Sequence, residues 1–302
     1  MNFAELLETR AREKGEEIFL LFDDERVSYA ALDRRTNRIA NGLAALGVGP
    51  GAGVAIMMGN SPTWLATFFA AQKLGAYAVP INIALRGEGL AYILGHSETQ
   101  ALVIGAELLD AFTPLHPNLP RVRHVIVDST EADAGATLPG DVIPIERFAN
   151  TDAGPPGTAV TPGTTAILLY TSGTTGLPKA VVVRHGGFSF AGLAFFAQVG
   201  YCASDILYTC LPLFHANALF LTTMQGLFSG YPVAQLCLPV PPDCSCEVAG
   251  VILLRVDIDL DKPSVFLFEM FERPIGRNQD FRMNITIAAS HSSYLLCCLF
   301  LD

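Results

Sequence analysis

Tyr170-Thr-Ser-Gly-Thr-Thr-Gly-Leu-Pro-Lys179, set between the apolar runs Ala166-Ile-Leu-Leu-Tyr170 and Ala180-Val-Val-Val183, decides how this chain is read. Each apolar run is short and bounded by turn residues, the pattern of a buried strand. The stretch carries hydroxyls on Thr171, Ser172, Thr174 and Thr175, and glycines at Gly173 and Gly176. Glycine lets a backbone approach a ligand with no Cβ in the way, and successive N–H groups in such a turn form a concavity for anions. Pro178 stiffens the exit, and Lys179 places a point charge beside whatever the loop holds. Hydrogen bonds to ionised phosphate oxygens are about twice as strong as neutral ones, so a few convergent donors suffice. A flexible Ser/Gly linker is the competing reading; two flanking strands, with Pro and Lys at the exit, count against it. The spacing Gly173-x-x-Gly176-x-x-Lys179 is not that of a P-loop, and Ala180 stands where that motif has a magnesium-binding Ser or Thr. Strand–loop–strand also differs from the strand–loop–helix context of P-loop and dinucleotide folds.

Upstream, helical and strand-like patterns alternate. Ser28 suits the N-cap of a helix whose apolar face is Leu32, Ile39, Leu43 and Leu46. Gly47-Val-Gly-Pro-Gly51 stops it, and Val54-Ala-Ile-Met-Met58 reads as a short buried strand. Pro62 opens a second helix through Trp64, Phe68, Phe69 and Leu74, ended by Gly75. Ala78-Val-Pro-Ile81, Ala101-Leu-Val-Ile104 and His124-Val-Ile-Val-Asp128 are further strands, with a helix over 87–94 before the second of them. Such alternation predicts an α/β fold with sheets flanked by helices on both faces. Residues 129–164 show no clear period and read as a surface excursion. His185-Gly-Gly187 follows the second strand of the loop motif and opens an apolar helix through Leu193 and Phe196, with His185 as its cap.

Composition narrows the partners. The chain has 302 residues, 51% hydrophobic and 16% charged, with a net charge of −10. A chain of about 300 residues buries about 75% of its unfolded surface, so one large domain or two ordinary ones fit. The acidic balance argues against nucleic acid, whose phosphates are bound by Lys and Arg. The N-terminus lacks the basic and apolar regions of a secretory signal. No stretch reaches the roughly 18–20 uninterrupted apolar residues of a membrane span, so a cytoplasmic protein is expected. Cys244-Ser-Cys246 and Cys297-Cys298 do not have zinc-ligand spacing.

Tyr170–Lys179 resembles the signature loop of the adenylate-forming superfamily, which includes acyl-CoA synthetases, luciferases and peptide-synthetase adenylation domains. The family usually has Gly after the lysine, where this chain has Ala180. Val27-Ser-Tyr-Ala-Ala-Leu32 and Gln72-Lys-Leu-Gly-Ala-Tyr-Ala-Val-Pro80 are similar to two early family segments. Asp205-Ile-Leu-Tyr-Thr-Cys-Leu-Pro-Leu-Phe-His215 is similar to the Leu-Pro-Leu-x-His motif of acyl-CoA synthetases. The resemblance covers about residues 1–235, in family order. It implies the mixed-sheet α/β fold of the family's N-terminal domain, incomplete here.

A lone His beside Leu213, Phe214 and Leu219 is ordinarily a core histidine. The resemblance instead makes His215 the catalytic-site residue near the reacting carboxylate, orienting it rather than acting as a base, because a carboxylate is already ionised at neutral pH. It also makes Thr171, Ser172, Gly173, Thr174, Thr175, Gly176 and Lys179 the ATP phosphate-binding residues. The implied reaction joins a small carboxylic or fatty acid to coenzyme A through an acyl-adenylate, with ATP and Mg2+; the metal ligands and the oligomeric state are not implied by any residue here. The family's later motifs, a Tyr-Gly-x-Thr-Glu segment, a Thr-Gly-Asp aspartate and a C-terminal lysine, have no counterpart, and Pro139-Gly-Asp141 lies upstream of the loop. Alanine falls from 34 of the first 235 residues to 3 of the last 67, where five of the seven cysteines lie. Residues 236–302 therefore read as an unrelated tail, of the kind a frameshift produces. The expectation is a truncated acyl-CoA synthetase, inactive alone; the alternative is a non-catalytic nucleotide-binding or interaction fragment of the same fold.

Overall fold

The computed structural model describes residues 2–129, 142–171, 177–187, 205–235, 253–255, 266–272 and 281–287. The first helix, α1 (Phe3–Lys14), starts on a capping box: Asn2 Oδ1 accepts from the Glu5 N–H at 2.8 Å and the Glu5 carboxylate accepts from the Asn2 N–H at 3.1 Å. A hairpin of β1 (Ile18–Phe22) and β2 (Glu25–Ser28) follows. Ser28 then caps α2 (Tyr29–Ala45), accepting from the Ala31 N–H as its position predicts. Between β3 (Gly53–Met57) and β4 (Tyr77–Pro80) lies α3 (Pro62–Lys73), begun by Ser61 and Pro62. Gly75, at φ +65°, takes the left-handed turn that follows α3. Then come α4 (Gly87–His96), β5 (Thr99–Gly105), α5 (Leu109–Phe112) and β6 (His124–Asp128).

The segment expected to be a featureless excursion contains β7 (Val142–Pro144) and a 3₁₀ turn over Ile145–Asn150. Three residues are too few to show a period in sequence, yet their backbone pairs in parallel with β6. Phe148 of that turn lies so close to α2 that a Cβ on Gly42 would sit 2.3 Å from its ring. The remaining elements are β8 (Thr165–Thr171), β9 (Lys179–Arg184) and β10 (Asp205–Thr209), then a π-helix (Asn217–Met224) running into α6 (Gln225–Ser229). The chain continues with β11 (Val233–Gln235), β12 (Leu253–Arg255), β13 (Phe266–Glu272) and β14 (Phe281–Ile287).

Two seven-stranded sheets result, in the orders β7-β6-β5-β3-β4-β8-β9 and β14-β13-β12-β10-β11-β1-β2. The first is parallel from β7 through β8, with β9 antiparallel at its edge. In the second, β10, β11 and β1 are parallel and the others antiparallel. Mixed sheets flanked by helices are the architecture the sequence predicts. Strand alternation divides the core, since successive side chains point to opposite faces. Val54, Ile56, Val103, Ile126 and Ile167 join a cluster with α1, α2, α3 and the Leu213–Leu227 segment. Ala55, Met57, Leu102, Ile104 and Val127 join a second cluster with α4 and α5. The helices α1 to α3 are thus held against one face of the first sheet and α4 and α5 against the other.

One charge ties the three inner helices together. Lys73, at the end of α3, has a side chain only 1% exposed. Its ammonium donates to Glu8 Oε1 of α1 at 2.9 Å, and to Asp33 Oδ1 and Asn37 Oδ1 of α2 at 2.8 and 2.7 Å. The preceding residue, Gln72, donates from Nε2 to the Ala166 carbonyl of β8 at 3.0 Å. Removing one partner of a buried ion pair costs about 3–5 kcal/mol, because the other charge stays buried. Lys73→Ala is therefore expected to lower the unfolding free energy by about that amount. Lys14→Ala, which breaks an exposed pair with Glu17, should cost under about 1 kcal/mol. Urea titrations compare the two, and equal losses would contradict the role given to Lys73. At the other end of the sheet, β9 is an edge strand with Val181 and Val182 48% and 55% exposed. Unpaired apolar edges template association, so Val182→Lys should reduce light scattering by the full chain at equal concentration; unchanged scattering would rule out this edge.

Candidate functional site

Because β3, β4, β5, β6 and β8 are parallel, their carboxyl ends share one edge of the sheet. The chain leaving β3 turns to one face, to α3, and the chain leaving β5 turns to the other, to α5. Such a divergence opens a crevice at the carboxyl edge, where open α/β sheets bind ligands. The Ser/Thr/Gly loop springs from this edge. β8 and β9 pair antiparallel around it, with Thr171 opposite Lys179, so the strand–loop–strand expectation holds. Both residues are solvent-exposed. Ser172, Gly173, Thr174, Thr175 and Gly176 lie outside the described residues, as do Leu193 and Phe196 of the apolar helix expected after His185. Just before the loop, the Tyr170 hydroxyl lies 2.7 Å from His96 Nδ1 of α4. Burial pushes the Tyr170 hydroxyl up to about 12, so it stays neutral.

The second feature comes from the other sheet. Cys210, Leu211, Pro212, Leu213, Phe214 and His215 follow β10 as an irregular segment whose backbone is held at several points. Thr209 Oγ1 accepts from the Leu211 N–H at 3.2 Å. The Pro212 carbonyl accepts from the His215 N–H at 3.0 Å, and the His215 carbonyl from the Leu219 N–H at 3.1 Å. Leu213 and Leu219 are buried while His215 is exposed, so His215 is not a core histidine. Its ring lies against Phe214, with centroids 4.6 Å apart, and desolvation lowers its pKa below the ordinary 6.5. Directly after it the chain widens into the π-helix, a rare geometry that recurs beside functional sites. Thr223 Oγ1 within it donates to the Ala218 carbonyl at 2.9 Å and accepts from Gln235 Nε2 of β11 at the same distance.

The two sheets are joined at this point by Asn60, in the turn from β3 to α3, which hydrogen-bonds Leu211 and Leu213. A single Asn before a helix cap carries no periodic signal, and its role emerges only in three dimensions. Among the described residues no group of three His, Cys, Asp or Glu converges to hold a metal. None of the described helices is long and apolar enough to cross a membrane.

Two mixed sheets flanked by helices, with a strand–loop–strand hairpin at the carboxyl edge of one and the Leu211–His215 segment after a strand of the other, are the architecture of the N-terminal domain of adenylate-forming enzymes. The family model described as AMP-binding enzyme matches residues 7–242, and the chain belongs to that family. It is similar to the medium/long-chain-fatty-acid–CoA ligase FadD6 of Mycobacterium tuberculosis, 38% identical over 234 residues that cover 76% of this chain and 37% of the relative. The 3-hydroxybenzoate–CoA/4-hydroxybenzoate–CoA ligase of Thauera aromatica is 30% identical over 253 residues, covering 83% of this chain and 47% of that ligase. Among solved structures, the inhibitor-bound N-terminal domain of FACL13 from Mycobacterium tuberculosis superposes with a TM-score of 0.68 at 29% identity, over 78% of this chain and 56% of that one. The chain thus spans less than half the length of these two curated relatives.

His185 has a second role that its sequence position does not announce. The body of the helix expected after it lies outside the described residues, and the contact seen is with the start of the chain. Buried at 0% exposure, its Nδ1 accepts from the Phe3 N–H at 3.2 Å, which ties the start of α1 to the end of β9. The Phe3 ring meets it edge to face, with centroids 5.3 Å apart. Burial lowers its pKa to about 4. The unfolded chain therefore takes up a proton near pH 6.5 that the folded chain refuses until about pH 4, so stability falls as pH drops through that window. Asp128, at the carboxyl end of β6, acts in the opposite sense: burial and then Glu146 push its carboxyl up to about 6, so the folded chain gains a proton first on acidification. Moving from pH 7 to pH 5 should lower the wild-type urea midpoint and should raise that of His185→Gln. A parallel pH response in the two proteins would overturn this assignment.

Proposed function

We propose that this chain is the nucleotide-binding part of an ATP-dependent acyl-CoA ligase. The observation that carries this reading is the β8–β9 hairpin, which delivers the loop ending at Lys179 to the carboxyl edge of a sheet in a member of the AMP-binding family. In the proposed reaction a carboxylate oxygen attacks the α-phosphorus of ATP and pyrophosphate leaves, giving an acyl-adenylate. The thiol of coenzyme A then attacks the acyl carbon and AMP leaves. Thr171, Ser172, Gly173, Thr174, Thr175 and Gly176 would present hydroxyls and backbone N–H groups to the phosphates, and Lys179 would supply the cation. Magnesium would enter with the nucleotide's own phosphates, since the described residues supply no ligand set for it. His215 would orient the acid by hydrogen bonding; its lowered pKa keeps the imidazole neutral near pH 7. The acid belongs to the small carboxylic or fatty acids, a range consistent with relatives named for fatty acids and for hydroxybenzoates.

A second reading rests on a specific observation. Only 37–47% of the length of those relatives has a counterpart here, and the later motifs expected of such ligases do not occur in the sequence. On this reading the chain binds ATP but does not complete the reaction. We assign residues 236–302 to a tail foreign to the family, on the grounds of its loss of alanine and gain of cysteine; the family match ends at residue 242.

ATP·Mg binding by calorimetry tests the reading common to both: the wild-type chain should bind, and Lys179→Ala should bind more weakly. Absence of ATP binding, or unchanged affinity in the variant, would contradict it. Pyrophosphate exchange with octanoate and 4-hydroxybenzoate separates the two readings. Exchange above background establishes adenylation by this chain, in which case Lys179→Ala should slow it on the order of 10²–10³-fold. Background exchange with intact ATP binding establishes the non-catalytic fragment.

A further inference from the structure

The backbone between Leu211 and Leu213 contains Pro212, which has no N–H. The polar groups flanking that gap are the Leu211 carbonyl and the Leu213 N–H, and both are met by one side chain. Asn60 Nδ2 donates to the Leu211 carbonyl at 3.0 Å, and Asn60 Oδ1 accepts from the Leu213 N–H at 2.7 Å. The donor–acceptor order leaves only one orientation of the amide that satisfies both contacts. Its pattern is that of a neighbouring strand residue, which serves positions i and i+2 of its partner, here supplied by a side chain across two sheets. Asn60 is itself fixed. Ser61 caps α3 by accepting from the Trp64 N–H at 3.0 Å, Pro62 sets the first helical turn, and Trp64 is fully buried.

We propose that Asn60 is the positioning residue that sets where His215 stands relative to the carboxyl edge of the first sheet, by clamping the Leu211–Leu213 backbone of the second sheet to that edge. The loop leaves the same sheet edge as the turn that carries Asn60. Two residues beyond the clamp, the turn from Pro212 to His215 is closed by its own hydrogen bond, so a fixed Leu213 fixes the backbone that carries the imidazole. The Asn60 amide is spent on backbone, and it therefore acts through the segment rather than by touching a reactant. The catalytic meaning of this clamp rests on the proposed ligase reading; the clamp itself does not.

The test uses the full chain with labelled histidine. In Asn60→Asp the donor to Leu211 is lost and a carboxylate faces a carbonyl; in Asn60→Leu both bonds are lost at similar volume. The His215 ring resonance should shift in both variants, because the backbone that carries the ring is released. ATP·Mg affinity should hold, while affinity for octanoate or 4-hydroxybenzoate should drop on the order of tenfold or more, as displacement of a positioning group predicts. A folded variant with an unchanged His215 resonance overturns the proposal. Should neither variant fold, the Leu213 amide of the wild-type chain decides: slow hydrogen exchange supports the clamp and free exchange overturns it. If His215 shifts as expected but the wild-type chain binds neither nucleotide nor acid, the clamp stands and the ligase reading falls.

Discussion

A buried ammonium organises this domain. Lys73 is surrounded by Glu8, Asp33 and Asn37, and isolated in the core its charge would be strongly unfavourable. The arrangement that brings α1 and α2 to the end of α3 satisfies it. Those helices are the layer against which one face of the parallel sheet is packed, and their other contacts reach β1, β11 and the segment around Leu213. The network does not make the ligand site. It sets the spacing of the layers from which the site is hung, and Gln72 extends that control to the start of β8.

From that layer the site is assembled by two polar side chains at its borders. Asn60 joins the turn after β3 to the backbone preceding His215. His185 ties the end of β9, beyond the phosphate loop, to the first N–H of α1. Neither residue is available for chemistry: the amide of Asn60 is committed to backbone, and His185 is buried and neutral. Each holds a segment of backbone by satisfying groups that a regular sheet or helix would otherwise serve, and leaving such a group unmet costs more than a hydrogen bond returns.

Much of this arrangement could be read from sequence, and for identifiable reasons. Ser28, Pro62 and Gly75 mark helix ends because their chemistry is local, and short apolar strands such as Val54–Met58 and Ala101–Ile104 announce a sheet covered on both faces. The hairpin around the loop was predictable because strand runs abut it on both sides. The hidden elements are those decided by contacts distant in sequence. β7 has three residues and exists through its pairing with β6. His185 reads in sequence as a cap for the helix after it, while its bond to Phe3, 182 residues earlier, carries no local signal. Asn60 and Leu213 are 153 residues apart, a separation across which no spacing rule operates. His215 illustrates the intermediate case: burial preference makes it a core residue, and the structure shows its leucine neighbours buried while it faces solvent.

The central proposal is that the loop leaving β8 at the carboxyl edge of the first sheet binds the phosphates of ATP. Photo-crosslinking with an ATP analogue carrying an aryl azide on the γ-phosphate, followed by peptide mapping, tests it most directly. The account predicts labelling within residues 171–179 that excess ATP suppresses, with none in the peptides of α4 and α5 on the far face of the sheet. Label that ATP does not displace, or ATP-displaceable label confined to residues 236–302, would contradict it.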